Sequence, residues 1–212
     1  FRQARAELRI EAGCALALPT SDLITRVLVL PPADRESLGA IVRLQMEKIA
    51  PCAGEELSVG FEVVAQEETG VRLFAAAMPQ ERLDALAREL ADAGLRLTRL
   101  DAGLLGWWRQ LQALGLPVLT DGMSAILFEQ GGEWDLLLAD QGELRLARGL
   151  GTPVDPADLG RELTLSLLNY EMECGPARPQ ALLVVSASCP DTPWLEALRA
   201  ATAGTLAPEW ID

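Results

Sequence analysis

The side chains that could do chemistry are read first from what is missing: the 212 residues contain no histidine. The commonest general base, the usual zinc ligand and the Ser-His-Asp and Cys-His nucleophile schemes are therefore excluded. Ser124, Ser166, Ser186 and Ser188 have no basic partner to activate a hydroxyl, since Lys48 is the lone lysine. Lys48, close to Pro51, reads as a charge complementing a helix C-terminus rather than as a Schiff-base lysine. Cys14, Cys52, Cys174 and Cys189 stand far apart with no C-x-x-C pair, which points to free, mostly buried thiols in a reducing compartment and to no metal knuckle. Asp34, Glu36, Glu55, Glu56, Glu62, Glu67 and Glu68 lack the alternating ligand pattern of a calcium loop and read as a solvated acidic face. No catalytic residue, metal or cofactor is expected from these groups.

Two aromatic features remain. Trp107 and Trp108 are adjacent, and neighbours on a helix point about 100° apart, so one ring is expected in the core and the other is a candidate partner anchor. Trp210, in Pro208-Glu209-Trp210-Ile211, reads either as part of a docking tail or as the exit of a last strand.

Composition narrows the setting. The chain is 50% hydrophobic and 23% charged, as expected of a folded globular protein large enough for one big domain or two small ones. A formal charge of -13 makes nucleic acid an unsuitable partner, because a phosphate backbone needs Lys/Arg clusters. No apolar run reaches the roughly 20 residues of a membrane helix. The sequence begins at Phe1 with neither a methionine nor a signal-peptide pattern, so it reads as a trimmed fragment whose parent is membrane-attached, if at all, through segments outside this chain.

The elements that must position these residues follow from periodicity and punctuation. Leu23 to Leu30 is β-branched and apolar and stops at Pro31-Pro32, so it reads as a strand. Asp34 sits at an N-cap ahead of a helix ended by Pro51. Residues 57–63 alternate at period two, and Val71, Leu73 and Ala75 follow the turn 66–70, which predicts a hairpin. Glu81 to Leu90 is the clearest helix, stopped by Gly94, and Leu95, Leu97 and Leu100 supply a closing strand. Residues 23–101 thus spell β-α-β-β-α-β, the ferredoxin-like order, in which two helices cover one face of a four-stranded antiparallel sheet. A connecting helix around Gly106 to Leu111 leads to Gly115 and Pro117. Three short strands then form a meander through Gly131-Gly132 and Asp140-Gln141-Gly142. Asp155-Pro156 opens a long helix to about Cys174, Leu182 to Val185 is a strand, and Thr192 to Ala203 is a last helix. This is the core order of a ribonuclease-H-like half of an actin-type fold.

Leu18 to Arg26, Leu30-Pro31, Gln45-Met46-Glu47-Lys48-Ile49-Ala50-Pro51, Phe61-Glu62-Val63-Val64, Ala91 to Leu95 and Asp101 together resemble the PilM family of type IV pilus assembly proteins and the similar GspL cytoplasmic domains of type II secretion. The resemblance spans roughly residues 16–112 and continues more loosely to Arg148-Gly149. It implies an α/β, incomplete actin-like fold carrying an inserted βαββαβ subdomain. Residues 1–22 would be the tail of the first half, 23–101 the insert, 102–116 the connecting helix and 117–212 the second ribonuclease-H-like half.

An actin-type phosphate turn needs small residues whose amides cradle phosphate. Here the expected position reads Phe128-Glu129-Gln130-Gly131-Gly132-Glu133-Trp134, with two carboxylates, of which Glu133 would repel phosphate, and an indole, and the expected adenosine turn reads Ser186-Ala187-Ser188-Cys189-Pro190 in place of paired glycines. Both read as degenerate, which favours the GspL branch. The resemblance implies a non-enzymatic scaffold at the cytoplasmic face of a bacterial inner membrane, holding a secretion or pilus assembly ATPase or a neighbouring platform protein. The alternative is an actin-like ATPase or sugar-kinase relative whose first phosphate loop lies outside this chain. A third reading is a structural module that only homodimerises through its subdomain faces.

Overall fold

Asp34 and Asp155 both stand where a helix must begin, and both cap one in the computed structural model, which describes residues 13–50, 56–66, 70–116, 121–175 and 178–211. Asp34 Oδ1 accepts the Ser37 N–H at 2.9 Å and Asp155 Oδ1 accepts the Asp158 N–H at 2.8 Å, each satisfying an amide that the helix itself leaves unpaired. The described elements are β1 (Gly13–Leu18), a 3-10 turn (Thr20–Asp22), β2 (Ile24–Leu30), α1 (Arg35–Ile49), β3 (Leu57–Gln66), β4 (Val71–Pro79), α2 (Gln80–Asp92), β5 (Arg96–Ala102) and α3 (Gly103–Leu114). They continue with β6 (Met123–Gln130), β7 (Glu133–Asp140), β8 (Glu143–Gly151), α4 (Pro156–Cys174), β9 (Ala181–Ser186), α5 (Thr192–Ala201) and β10 (Pro208–Ile211). The chain divides into two units, Phe1–Trp107 and Trp108–Asp212.

In the first unit, β2, β4 and β3 form a three-stranded antiparallel sheet in that order. Leu38, Val42 and Met46 recur on one stripe of α1 and pack on Val71, Leu73, Ala75 and Ala77 of β4. Lys48 occupies the last turn of α1, where its charge suits the helix dipole.

The expected four-stranded sheet over 23–101 is corrected here. β5 leaves the hairpin sheet and pairs in parallel with β1, from Gly13↔Arg96 to Leu18↔Ala102. Parallel neighbours need a long crossover, and the three-stranded sheet with its helices is that crossover. The expectation of one helix-covered face fails as well: Arg72, Phe74 and Met78, on the side of β4 opposite the α1-facing residues, are also buried. A central strand buried on both faces reads as a nearly continuous apolar run, which is how Val71 to Met78 reads.

The second unit holds a five-stranded sheet in the order β10-β9-β6-β7-β8. Strands β6, β7 and β8 are an antiparallel meander, and β9 and β10 run parallel to β6. Both meander turns have two residues with positive φ, Gly131 (62°) with Gly132 (88°) and Gln141 (52°) with Gly142 (78°). That is the type I′ geometry whose twist matches a tight hairpin, and glycine enters it without the strain of a Cβ. Helices α4 and α5 cover one face, where Leu159, Leu163 and Leu198 pack on Ala125, Leu127, Leu136, Leu138, Leu182 and Val184. Their close approach needs Gly160, where a Cβ would lie 3.2 Å from the Ala197 carbonyl oxygen. The alternate residues Ile126, Phe128, Leu137, Ala139 and Leu183 are buried on the opposite face. On α3, Gln112 Nε2 donates to the Gly142 carbonyl at 3.5 Å.

Thiol burial also departs from expectation. Cys174 and Cys189 are exposed and Cys14 is half-buried, all unpaired, because Cys174 ends α4 and Cys189 lies in the loop after β9. Cys52, Pro51, Glu55, Glu67, Glu68, Pro117, Pro176 and Asp212 lie outside the described residues. Among those described, no helix is long and apolar enough to cross a membrane.

Two outcomes are expected. Leu163→Ala should cost about 2–5 kcal/mol in urea unfolding, as for other truncations that open a core cavity. The Ser37 backbone N–H and hydroxyl hold the Asp34 carboxyl below its ordinary value of 3.8. A lowered folded pKa gives stability that is present above the unfolded value and lost as pH falls through the folded one. Asp34→Ala should therefore lower the urea midpoint at neutral pH, and the gap from the parent should close once the medium is well below pH 3.8; a gap that persists in acid would point away from the cap.

Candidate functional site

β6 and β9 lie side by side and parallel, from Ser124↔Ala181 to Glu129↔Ser186, so their carboxyl ends reach the same edge of the sheet. There the chains part: β6 turns through Gly131-Gly132 into β7, while β9 runs on to α5. A crevice opens where such connections diverge beyond strand ends. Its volume is about 310 Å³, and Glu129, Gly132 and Trp134 line one side. Pro153, Ser188, Cys189, Pro190, Asp191 and Trp194 complete it. The two stretches that the sequence singles out as degenerate phosphate and adenosine turns therefore meet at one cleft.

Trp134, on the helix-facing side of β7, stacks on Trp194 in the first turn of α5, with centroids 5.8 Å apart and planes at 16°. Trp134 is only 4% exposed, so the pair forms a wall rather than an open platform on both rings. In the turn, the Gly132 N–H donates to Glu129 Oε1 at 2.8 Å. That amide, which a phosphate would need, already has an anionic acceptor. On the far side, the Ser186 hydroxyl donates to the Ser188 carbonyl, closing the loop on itself.

The other sequence candidates fall elsewhere. Glu133 is half-buried on β7 and does not line the cleft; Glu129 is the carboxylate that does. Trp107 is 41% exposed and Trp108 2%, the split that their angular separation on α3 dictates. Neither ring lines the cleft. Trp210 lies on β10, 42% exposed, and its indole Nε1–H donates to the Ser186 carbonyl at 3.2 Å. Sequence reasoning counted Glu129 among the carboxylates of the turn but gave the repelling role to Glu133, and it passed over Asp191 and Trp194. The Glu129 contact is local, a carboxylate three residues ahead of a glycine amide, and was available to pattern reading; the Trp134–Trp194 stack had no local signal.

Chemically, the cleft offers two carboxylates, two indoles and a thiol, with no basic side chain among its lining residues. Among the described residues no group of three or more Cys, Asp and Glu is placed to hold a metal ion.

No family model and no curated protein matches this sequence. Solved structures do. A chain of a PilM–PilN type IV pilus biogenesis complex superposes with a TM-score of 0.71 at 18% identity, over 98% of this chain and 72% of that one. A protein of Bacteroides thetaiotaomicron described as having an actin-like ATPase fold and unknown function superposes at 0.54, with 8% identity over 92% of this chain and 67% of that one. The fold is actin-like. The cytoplasmic domain of EpsL, an inner-membrane component of the type II secretion system of Vibrio cholerae, superposes at 0.51, with 15% identity over 90% of this chain and 67% of that one. The actin-like chain thus spans about two thirds to three quarters of each of these structures.

The turn geometry makes a prediction of its own. Gly131→Ala and Gly132→Ala should each cost about 1–2 kcal/mol, the strain of a Cβ in the left-handed region. Gly106→Ala, in a helix with nothing within 4 Å of the added carbon, should stabilise by about 0.5–1 kcal/mol. Chemical denaturation of the three variants reads both signs.

Proposed function

We propose that this chain is a non-enzymatic, actin-like scaffold of the assembly platform of a type II secretion or type IV pilus system. It works on the cytoplasmic face of a bacterial inner membrane and holds a partner protein there. The observation that carries the reading is the Gly132 amide bonded to Glu129 at 2.8 Å, in a cleft where a nucleotide-dependent relative would need that amide for phosphate. The likeness to a PilM–PilN complex chain and to the EpsL cytoplasmic domain supplies the cellular setting.

The partner is a neighbouring platform protein, as PilN is in the complex with PilM; a secretion or pilus ATPase and a second copy of the chain are the other partners this reading admits. A charge of -13 suits recruitment of a basic face, since complementary charge speeds encounter and excludes wrong partners. Function on this reading is contact, with no bond made or broken.

One observation favours the ATPase alternative. The cleft occupies the carboxyl ends of adjacent parallel strands, and the first turn of α5 opens on it, a place where anions bind in other folds. Calorimetric titration with Mg-ATP separates the readings. The scaffold reading expects no heat and no thermal shift at millimolar nucleotide; saturable micromolar binding would overturn it. Titration with the cytoplasmic peptide of a membrane-bound platform neighbour is expected to give saturable binding.

A further inference from the structure

We propose that the cleft at the ends of β6 and β9 is a receptor for a guanidinium group, supplied by an arginine in a peptide segment of a partner protein. The proposal rests on the scaffold reading only in taking the partner to be a protein; the chemistry comes from the cleft.

The lining determines the sign of the ligand. Glu129 and Asp191 bring two negative charges, and no lysine or arginine lines the space to neutralise them. A carboxylate has about four acceptor positions, so Glu129 keeps capacity beyond its bond to Gly132. Asp191 stands at the N-cap of α5, yet its side chain makes no capping hydrogen bond. Its charge faces the cleft and offsets the partial positive end of the helix that would otherwise invite an anion.

The indoles determine the shape of the ligand. Trp194 is half-buried and stacks on Trp134, a contact that orients its plane. An indole so oriented beside carboxylates suits a planar cation, because the ring's quadrupole attracts charge over its face and the guanidinium stacks flat while its edge donates to carboxylate. A compact ammonium matches the charge but not the plane. The space, about 310 Å³, takes a side chain with its flanking backbone. Phosphate and nucleotide face both carboxylates and the occupied Gly132 amide.

The test uses the whole chain and the peptide acetyl-Gly-Arg-Gly-Arg-Gly-amide in calorimetry at low salt. Saturable binding is expected, weaker by at least tenfold in Glu129→Gln/Asp191→Asn and in Trp194→Leu. Glu36→Gln/Glu47→Gln removes the same charge from exposed positions on α1 and should bind as the parent does. An equal loss in that control would show attraction to net charge alone and overturn the proposal, as would no binding by the parent at millimolar peptide. Thermal unfolding checks each variant; should Trp194→Leu fail to fold, the charge variant decides.

Cys189, an exposed thiol lining the cleft, gives an independent readout. The peptide should slow its modification by a maleimide several-fold while leaving Cys174 unchanged, and an unprotected Cys189 would overturn the location. The two readings also fail separately. A platform partner that binds Glu129→Gln/Asp191→Asn as tightly as the parent removes this proposal and leaves the scaffold. Peptide capture in the cleft by a chain that binds no platform partner does the reverse.

Discussion

Strand β6 has a parallel neighbour on one edge and an antiparallel neighbour on the other, and most of the second unit follows from satisfying both. An antiparallel partner can be reached by a two-residue turn, whereas a parallel one requires a crossover that returns the chain to the starting edge. The first demand puts Gly131-Gly132 directly after β6. The second requires α4 between β8 and β9, and α4 then covers the sheet face that Ala125 and Leu127 present. Because β6 and β9 end at the same edge and their continuations part, the cleft is a consequence of strand direction before any side chain is considered.

That constraint shows how a site can keep its place while its chemistry changes. Topology opens the crevice, but the residues at its lip decide what enters. With Glu129 on the turn amide, the polarity of the lip is opposite to that of a phosphate cradle. The glycines that look like remnants of nucleotide binding are accounted for by the hairpin itself: the Gln141-Gly142 turn has the same pair of positive φ values and was never a phosphate candidate.

What was legible in the sequence was local. Asp34 with Ser37, Asp155 with Pro156, and the glycine-bearing turns of the meander all act within a few residues, and each came out as read. β5 shows where such reading stops. Its apolar residues identify a strand but not which sheet it joins, and the ferredoxin-like placement lost to a parallel partner, β1, that lies far back along the chain. The double burial of β4 was written in an apolar run interrupted only by Arg72, and the expectation of a one-sided sheet passed over it. The Trp134–Trp194 stack depends on the β7 register and the α5 position together, so no window of sequence contains it. Cys174 and Cys189 were expected inside by residue type; Cys174 falls instead at the end of α4 and Cys189 in the loop after β9, and both are exposed.

The bond from the Trp210 indole to the Ser186 carbonyl ties the last strand to the loop that forms the cleft. β10 also shields the outer edge of β9 over four of its six residues, from Pro208↔Leu182 to Ile211↔Val185. β9 reads Ala-Leu-Leu-Val-Val-Ser, an apolar segment of high β-propensity with no charge to discourage self-pairing. Proteolytic trimming ahead of Pro208 would thus remove four residues of strand and leave a sticky template on the sheet margin. Loss of solubility, before any loss of fold, is the first symptom such clipping would produce.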